Sequence, residues 1–207
     1  MNEQWNSPEE PQISPLMLGS VAHRQGQYEQ ARKHYLEAFQ QAESEQNFPE
    51  LYTVSYHLGK LLIDLNELDE AQKILQNAVR LRRENDESIQ SVVSAISDLQ
   101  DLLFKRGKLD DVESLSIDEL NWSLSAYGAD SFQYNMASMS TGLMYWNYLK
   151  DLEKCKRYFE LALKFARSHS NSTVRKVVLM NYAEVLTDAK QTAEAEAIKQ
   201  ELNRRFT

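Results

Sequence analysis

The sequence predicts an all-α fold, and three observations carry that reading. The 207 residues include only 6 Gly and 4 Pro, against a usual share of about 7% Gly and about 5% Pro. Hairpins and loop-rich enzymes consume both residues. All four prolines (Pro8, Pro11, Pro15, Pro49) lie in the first quarter, so nothing after residue 50 interrupts a helix. Finally, a set of small and apolar residues recurs at a near-constant spacing, anchored at Ala31, Ala71, Val112, Cys155 and Ala195, with successive periods of 40, 41, 43 and 40. Self-similarity at this period marks stacked helix pairs.

The elements follow in chain order. Residues 1–11 (Met-Asn-Glu-Gln-Trp-Asn-Ser-Pro-Glu-Glu-Pro) read as a flexible tail, and residues 12–207 as a single solenoid of five repeats, about 12–47, 48–85, 86–128, 129–170 and 171–207. The first repeat sets Leu18-Gly19 on its first helix, a turn at Gly26, then Ala31, Tyr35 and Ala38 on its second. Asn47-Phe48-Pro49-Glu50 caps the next helix, and the second repeat carries Leu58-Gly59, Ala71, Leu75 and Ala78 at matching offsets. The third begins at Asp86-Glu87-Ser88 and turns at Gly107. It is degenerate, with Gln100, Ser116 and Glu119 where small, aromatic and alanine residues are expected. The longest break, Tyr127–Ser131, precedes the fourth repeat, which places Leu143 and Trp146 on its first helix and Cys155, Phe159 and Ala162 on its second. The fifth starts at Ser170-Asn171-Ser172 and carries Tyr182-Ala183 and Ala195; its last helix, Thr192 to Arg205, is polar enough to cap the array. In each pair a small residue lets two helices approach, and a large one three or four residues on fills the wedge. Neither helix buries its face alone, so the pairs stack. Gly142 fits no slot by spacing.

At these residues the chain resembles the tetratricopeptide-repeat family. The period, longer than that family's usual repeat, together with Arg24-Gln25-Gly26-Gln27-Tyr28-Glu29-Gln30-Ala31, is similar to the kinesin-light-chain type. The resemblance implies a right-handed superhelical solenoid of five antiparallel helix pairs and a protein-binding role: a non-catalytic adaptor or scaffold, with a cytoskeletal or cargo-type function as one specific form. The alternative is a peptide-sensing regulatory protein acting on a separate output protein. The asparagine and lysine pattern by which some tetratricopeptide domains hold a chaperone's C-terminal carboxylate is not met, because Ser20 and Asp98 occupy two of its slots.

In such an array the first helices line a concave groove. Its expected partner-binding residues are Ser20 and Arg24, then Tyr56, His57 and Lys60, then Asp98 and Asp101, then Met144, Asn147 and Tyr148, and last Asn181 and Glu184. The groove should be cationic through Arg24, His57 and Lys60 and anionic through Asp98, Asp101 and Glu184. A protein or peptide segment lying in it would then find its register by charge, with Tyr56, Met144 and Tyr148 as apolar anchors. An ordinary solvated face is the bland alternative.

Other chemistry finds no support in the sequence. The net charge of −8 argues against nucleic acid and anionic lipid. Lys150, Lys154, Lys156, Arg157, Lys164 and Arg167 form a weak basic patch over residues 150–167, read as a solvated outer face. Trp122 and Trp146 read as packing residues, and the lone Cys155 as a buried one. The histidines (His23, His34, His57, His169) have no helical i+4 partner for a metal. No phosphate loop or nucleophile elbow is present, so neither catalysis nor a cofactor is expected. One cysteine and a polar, acidic start without an apolar block fit a cytoplasmic protein. Self-association is a further option.

Overall fold

A computed structural model describes residues 13–85, 90–168 and 172–206. The expected tail with Trp5, the start of the third repeat at Asp86-Glu87-Ser88, and His169 lie outside them. The described residues form ten α-helices: α1 Pro15–Arg24, α2 Tyr28–Ser44, α3 Phe48–Asp64, α4 Leu68–Asn85, α5 Gln90–Lys105, α6 Leu109–Tyr127, α7 Phe132–Met144, α8 Leu152–Ser168, α9 Ser172–Asp188 and α10 Thr192–Phe206. The chain is all-α, a helical-repeat fold in five pairs. It divides into two compact units, Met1–Leu102 and Leu103–Thr207, with the boundary inside α5 in the degenerate third repeat.

The helix starts follow local chemistry. The Ser14 hydroxyl accepts from the Met17 amide with Pro15 at the first helical position, Asn47 Oδ1 accepts from the Glu50 amide ahead of Pro49, and Ser131 Oγ accepts from the Tyr134 amide. Each pair then turns on one left-handed residue five positions before its anchor: Gly26, Asn66, Gly107, Lys150 and Lys190, with φ between 55° and 71°. The amide after that residue reaches back five residues, as Gln27 to Ala22, Glu67 to Leu62, Lys108 to Leu103 and Gln191 to Leu186, at 2.8–2.9 Å. These bonds close a Schellman-type helix end. A glycine is free to adopt this conformation, but Asn66, Lys150 and Lys190 pay for it in Cβ crowding.

In the first unit, Ala31 and Ala71 are fully buried, and Tyr35 and Leu75 fill the wedges behind them. A Cβ on Gly19 would stand 2.5 Å from the Tyr35 ring, and one on Gly59 would stand 2.6 Å from Leu75, so both positions are held to glycine by close approach. Ala42, Leu51 and Leu81, with Phe39 beside them, join α2, α3 and α4.

The second unit repeats this logic with one change. Cys155 is the buried small residue and Phe159 the wedge, stacked on Tyr182 at 4.8 Å. The glycine that meets Phe159 is Gly142, whose added Cβ would lie 2.9 Å from the ring. It stands 13 residues before its anchor, whereas Gly19 and Gly59 stand 12 before theirs. The additional residue is taken up by a π-helical turn, Tyr145–Leu149, that ends the first helix of this pair. Consistently, the Asp151 amide reaches back six residues to Tyr145, not five. Gly142 thus fills the close-packing slot, and Leu143, which the uniform offset puts there, faces outward. Buried Asn135 donates from Nδ2 to the Ala162 carbonyl at 2.6 Å, tying α7 to α8. In α6, Ser116 takes the wedge position and turns its hydroxyl back on the Val112 carbonyl.

Candidate functional site

Each unit opens a cleft on its first helices. In the first unit the cleft is about 630 Å³ and is lined by Ser20, His23, Arg24, Tyr35, Tyr56, His57, Lys60 and Asp64. Helical spacing places Ser20, His23 and Arg24 on one face of α1, and Tyr56, His57, Lys60 and Asp64 on one face of α3. Tyr35 comes up from the wedge beneath, its hydroxyl 3.4 Å from His23 Nδ1 and its ring stacked on His57 at 5.9 Å. His23 Nε2 lies 2.8 Å from Asp64 Oδ2.

The charge of this cleft differs from the sequence expectation. Burial pushes His57 below the ordinary imidazole range, aided by His23 and Lys60, so it is neutral at neutral pH. Desolvation works against the Lys60 ammonium, but Asp98 and Tyr56 outweigh it and hold its pKa above the usual value. Its Nζ stands 3.4 Å from Asp98 Oδ2 and 5.7 Å over the Tyr56 ring. Burial likewise raises the Tyr35 phenol, with the Ser20 contact opposing. Asp64 and Asp98 therefore offset the positive groups. The first cleft is aromatic and of mixed charge, not cationic.

The second cleft, about 390 Å³, is lined by Leu143, Trp146, Asn147, Asn181, Glu184, Val185 and Asp188 from the end of α7, its π-helical turn, and α9. Trp146 Nε1 donates to Asp188 Oδ2 at 2.8 Å, and Lys150 Nζ lies 4.9 Å over the indole. Two carboxylates and two side-chain amides thus surround one aromatic face.

Of the expected residues, Ser20, Arg24, Tyr56, His57 and Lys60 come together in the first cleft, and Asn147, Asn181 and Glu184 in the second. Asp98 sits at the edge of the first through Lys60. Asp101 and Tyr148 line neither; Tyr148 packs against Phe104 with ring centroids 5.2 Å apart. Met144, expected as an apolar anchor, is instead buried in the core, because α7 stays regular through it and turns its side chain inward. Tyr35, Leu143, Trp146 and Val185 were not anticipated in the clefts. Trp146 departs from a purely packing role because the π-helical turn rotates the residues after Met144 relative to a regular helix.

The basic stretch of α8 is largely paired. Lys154 Nζ donates to Glu113 at 3.0 Å and lies 4.8 Å over Tyr145, Lys156 meets Glu194 at 2.6 Å, and Arg167 meets Glu201 at 2.6 Å. Hydrogen bonds from Tyr145 and Lys154 hold the Glu113 carboxyl below its usual range. Among the described residues there is no group of three or more His, Cys, Asp or Glu side chains placed to hold a metal, and no helix is long and apolar enough to cross a membrane.

Comparison with known proteins agrees with this architecture. The family model described as "Tetratricopeptide repeat" matches residues 12–84, the span of the first two helix pairs. No match was found among curated protein sequences. The structure of BtubC (BKLC) from P. vanneervenii is similar over 92% of this chain and 77% of that one, with a TM-score of 0.66 and 19% identity. The nearly identical TPR-like repeats of Podospora anserina, assigned to kinesin light chain, are similar over 92% of both chains, at 0.63 and 13%. The Rap conjugation gene regulator of the plasmid pLS20, solved in complex with the Phr* peptide, is similar over 99% of this chain but only 60% of that one, at 0.55 and 19%. The fold and its paired clefts define an all-helical repeat protein. Residues 12–84 are similar to the tetratricopeptide-repeat family, and the structural likenesses show the same helical-repeat fold over the chain.

Proposed function

We propose that the chain is a non-catalytic adaptor that holds segments of a partner protein in its two clefts. One observation carries this reading: in each unit the first helices turn aromatic, amide and charged side chains into an open cleft while the wedge residues beneath are buried. Such a surface offers stacking and hydrogen bonds to an extended or helical segment. The first cleft suits an apolar or aromatic side chain set against Tyr56 and His57. The second, with Glu184, Asp188 and the Trp146 face, suits a Lys or Arg. A cytoplasmic, cargo-type role is the specific form that the kinesin-light-chain likeness supports.

The test is capture from native lysate with the full chain as bait, alongside a variant carrying Lys60→Ala, Asn147→Ala and Asn181→Ala. A protein retained by the first should be depleted at least about tenfold by the second, about 1.4 kcal/mol of binding. Equal retention refutes the cleft assignment. A second reading, a peptide-sensing regulator of a separate output protein, is supported by the likeness to the pLS20 regulator bound to its peptide. It predicts a change in the solution scattering profile on adding a short linear peptide, which an adaptor does not require.

A further inference from the structure

The second cleft is rich in hydrogen-bond acceptors. Asp188 Oδ2 receives the Trp146 indole N–H at 2.8 Å, which leaves its other carboxylate oxygen open. Asn181 spends Nδ2 on the Val177 carbonyl at 2.8 Å, and Oδ1 remains as its accepting group. Glu184 is exposed and, among the described residues, forms no ion pair. All three line the cleft beside the Trp146 ring.

One cation already answers that ring. Lys150 is exposed, ends the π-helical turn in the left-handed conformation at φ 55°, and sets its Nζ 4.9 Å over the indole. Gly26 and Gly107 occupy the same joint in the first and third repeats, so the turn itself does not require a long basic side chain. Lys150 is tethered four residues from Trp146, and short tethers give effective concentrations on the order of millimolar. A lysine from a partner brings the same ammonium to the same ring and must compete with this tethered copy. A guanidinium brings more. Its flat face stacks on the indole, and its five N–H donors form a fixed fork. That fork can serve Glu184, the open oxygen of Asp188 and Asn181 Oδ1, which the Lys150 ammonium over the ring leaves without a donor.

We propose that the second cleft selects arginine over lysine in a partner segment, with Lys150 as the built-in competitor that enforces the choice. The proposal rests on the adaptor reading of the clefts. Two carboxylates against one lysine keep the site net negative, so an incoming cation is drawn in and the discrimination falls on its shape and donor count.

The test uses capped tripeptides, acetyl-Ala-Xaa-Ala-amide, with arginine, lysine or citrulline at the central position. Each is titrated into the isotope-labelled full chain. The Trp146 indole N–H resonance reports binding and is identified by its absence in Trp146→Phe. The arginine probe should bind at least about tenfold more tightly than the lysine probe, and citrulline, similar in shape but neutral, should leave the resonance in place. Glu184→Gln should weaken the arginine probe. Lys150→Gly suits the left-handed joint, and Lys150→Gln keeps a long side chain without its charge. In both, lysine should gain more than arginine, narrowing the ratio by at least about threefold. Equal affinity for arginine and lysine overturns the proposal, as does a ratio that neither Lys150 variant narrows. A resonance that no probe moves, or that citrulline moves as arginine does, overturns it too. Capture from lysate reads the adaptor role separately: a partner retained by the wild type and lost from the Lys60, Asn147 and Asn181 triple variant upholds that role whatever the probes do.

Discussion

Gly142→Ala tests the packing register of the fourth repeat. A Cβ there would lie 2.9 Å and 3.2 Å from two Phe159 ring carbons and 3.2 Å from the Cys155 carbonyl oxygen. Comfortable carbon contacts are about 3.5–4.0 Å, so the ring must retreat by roughly 0.6 Å at its near edge. It has little room: Phe159 is fully buried and stacked within 14° of the Tyr182 plane. Overpacking of this kind costs about 1–3 kcal/mol, and replacing a helical glycine with alanine returns about 0.8–1.0 kcal/mol. The expected net effect is a loss of about 1 kcal/mol, or about 2–4 °C in Tm for a chain of this size, read by urea and thermal unfolding. The cause is testable by a double-mutant cycle. In a Phe159→Leu background the same substitution should become neutral or stabilising, a coupling of about 1–2 kcal/mol. If Gly142→Ala stabilises the wild type, or if its effect is the same in both backgrounds, the slot does not belong to Gly142 and the π-helical register is wrong.

Two further outcomes follow from the joints and the core. Asn66→Gly and Lys190→Gly relieve a left-handed side chain, at φ of 61° and 59°. Relief of about 1–2 kcal/mol against about 0.5–1 kcal/mol of added chain entropy leaves each stabilised by up to about 1.5 kcal/mol, visible as a higher denaturant midpoint. Burial, with Asp151 nearby, pushes the Cys155 thiol up to about 12, from about 8.5 in an unfolded chain. A raised folded pKa gives stability that is complete below the unfolded value and declines as pH rises toward the folded one. Stability should therefore fall between about pH 8.5 and 12, thiol reagents should label Cys155 only after unfolding, and Cys155→Ala should flatten its share of the alkaline slope.

The architecture was legible because its joints are written in residue size. Ala31, Ala71, Val112, Cys155 and Ala195 are all essentially buried as spacing required, and Tyr35, Leu75 and Phe159 fill the wedges behind three of them. Local capping chemistry located the start at Asn47, and the break ending at Ser131 located the fourth repeat. The site was legible only in part. Side chains on α1 and α3 converge as helical spacing says, but their net charge depends on partners that spacing does not reveal. Lys60 meets Asp98 and His23 meets Asp64 across 38 and 41 residues. Similarly, Lys156 and Arg167 lose their basic character to Glu194 and Glu201, which face them only once α8 and α10 are packed. Met144 and Trp146 exchanged roles because a one-residue bulge within a helix leaves no compositional trace.

The five-residue interval from left-handed turn to anchor is the same in all five repeats, while the interval ahead of the turn varies. The array can therefore tolerate length mutations unevenly. A residue gained within a first helix is absorbed as a bulge, as at Tyr145–Leu149, and the next anchor still follows at the ordinary period, 40 residues on at Ala195. A residue gained between Lys150 and Cys155 would rotate α8 by about 100° and turn Phe159 out of its wedge. Insertions and deletions accumulating in chains of this kind should concentrate in first helices and between repeats, leaving the turn-to-anchor interval as the segment whose length descent keeps fixed.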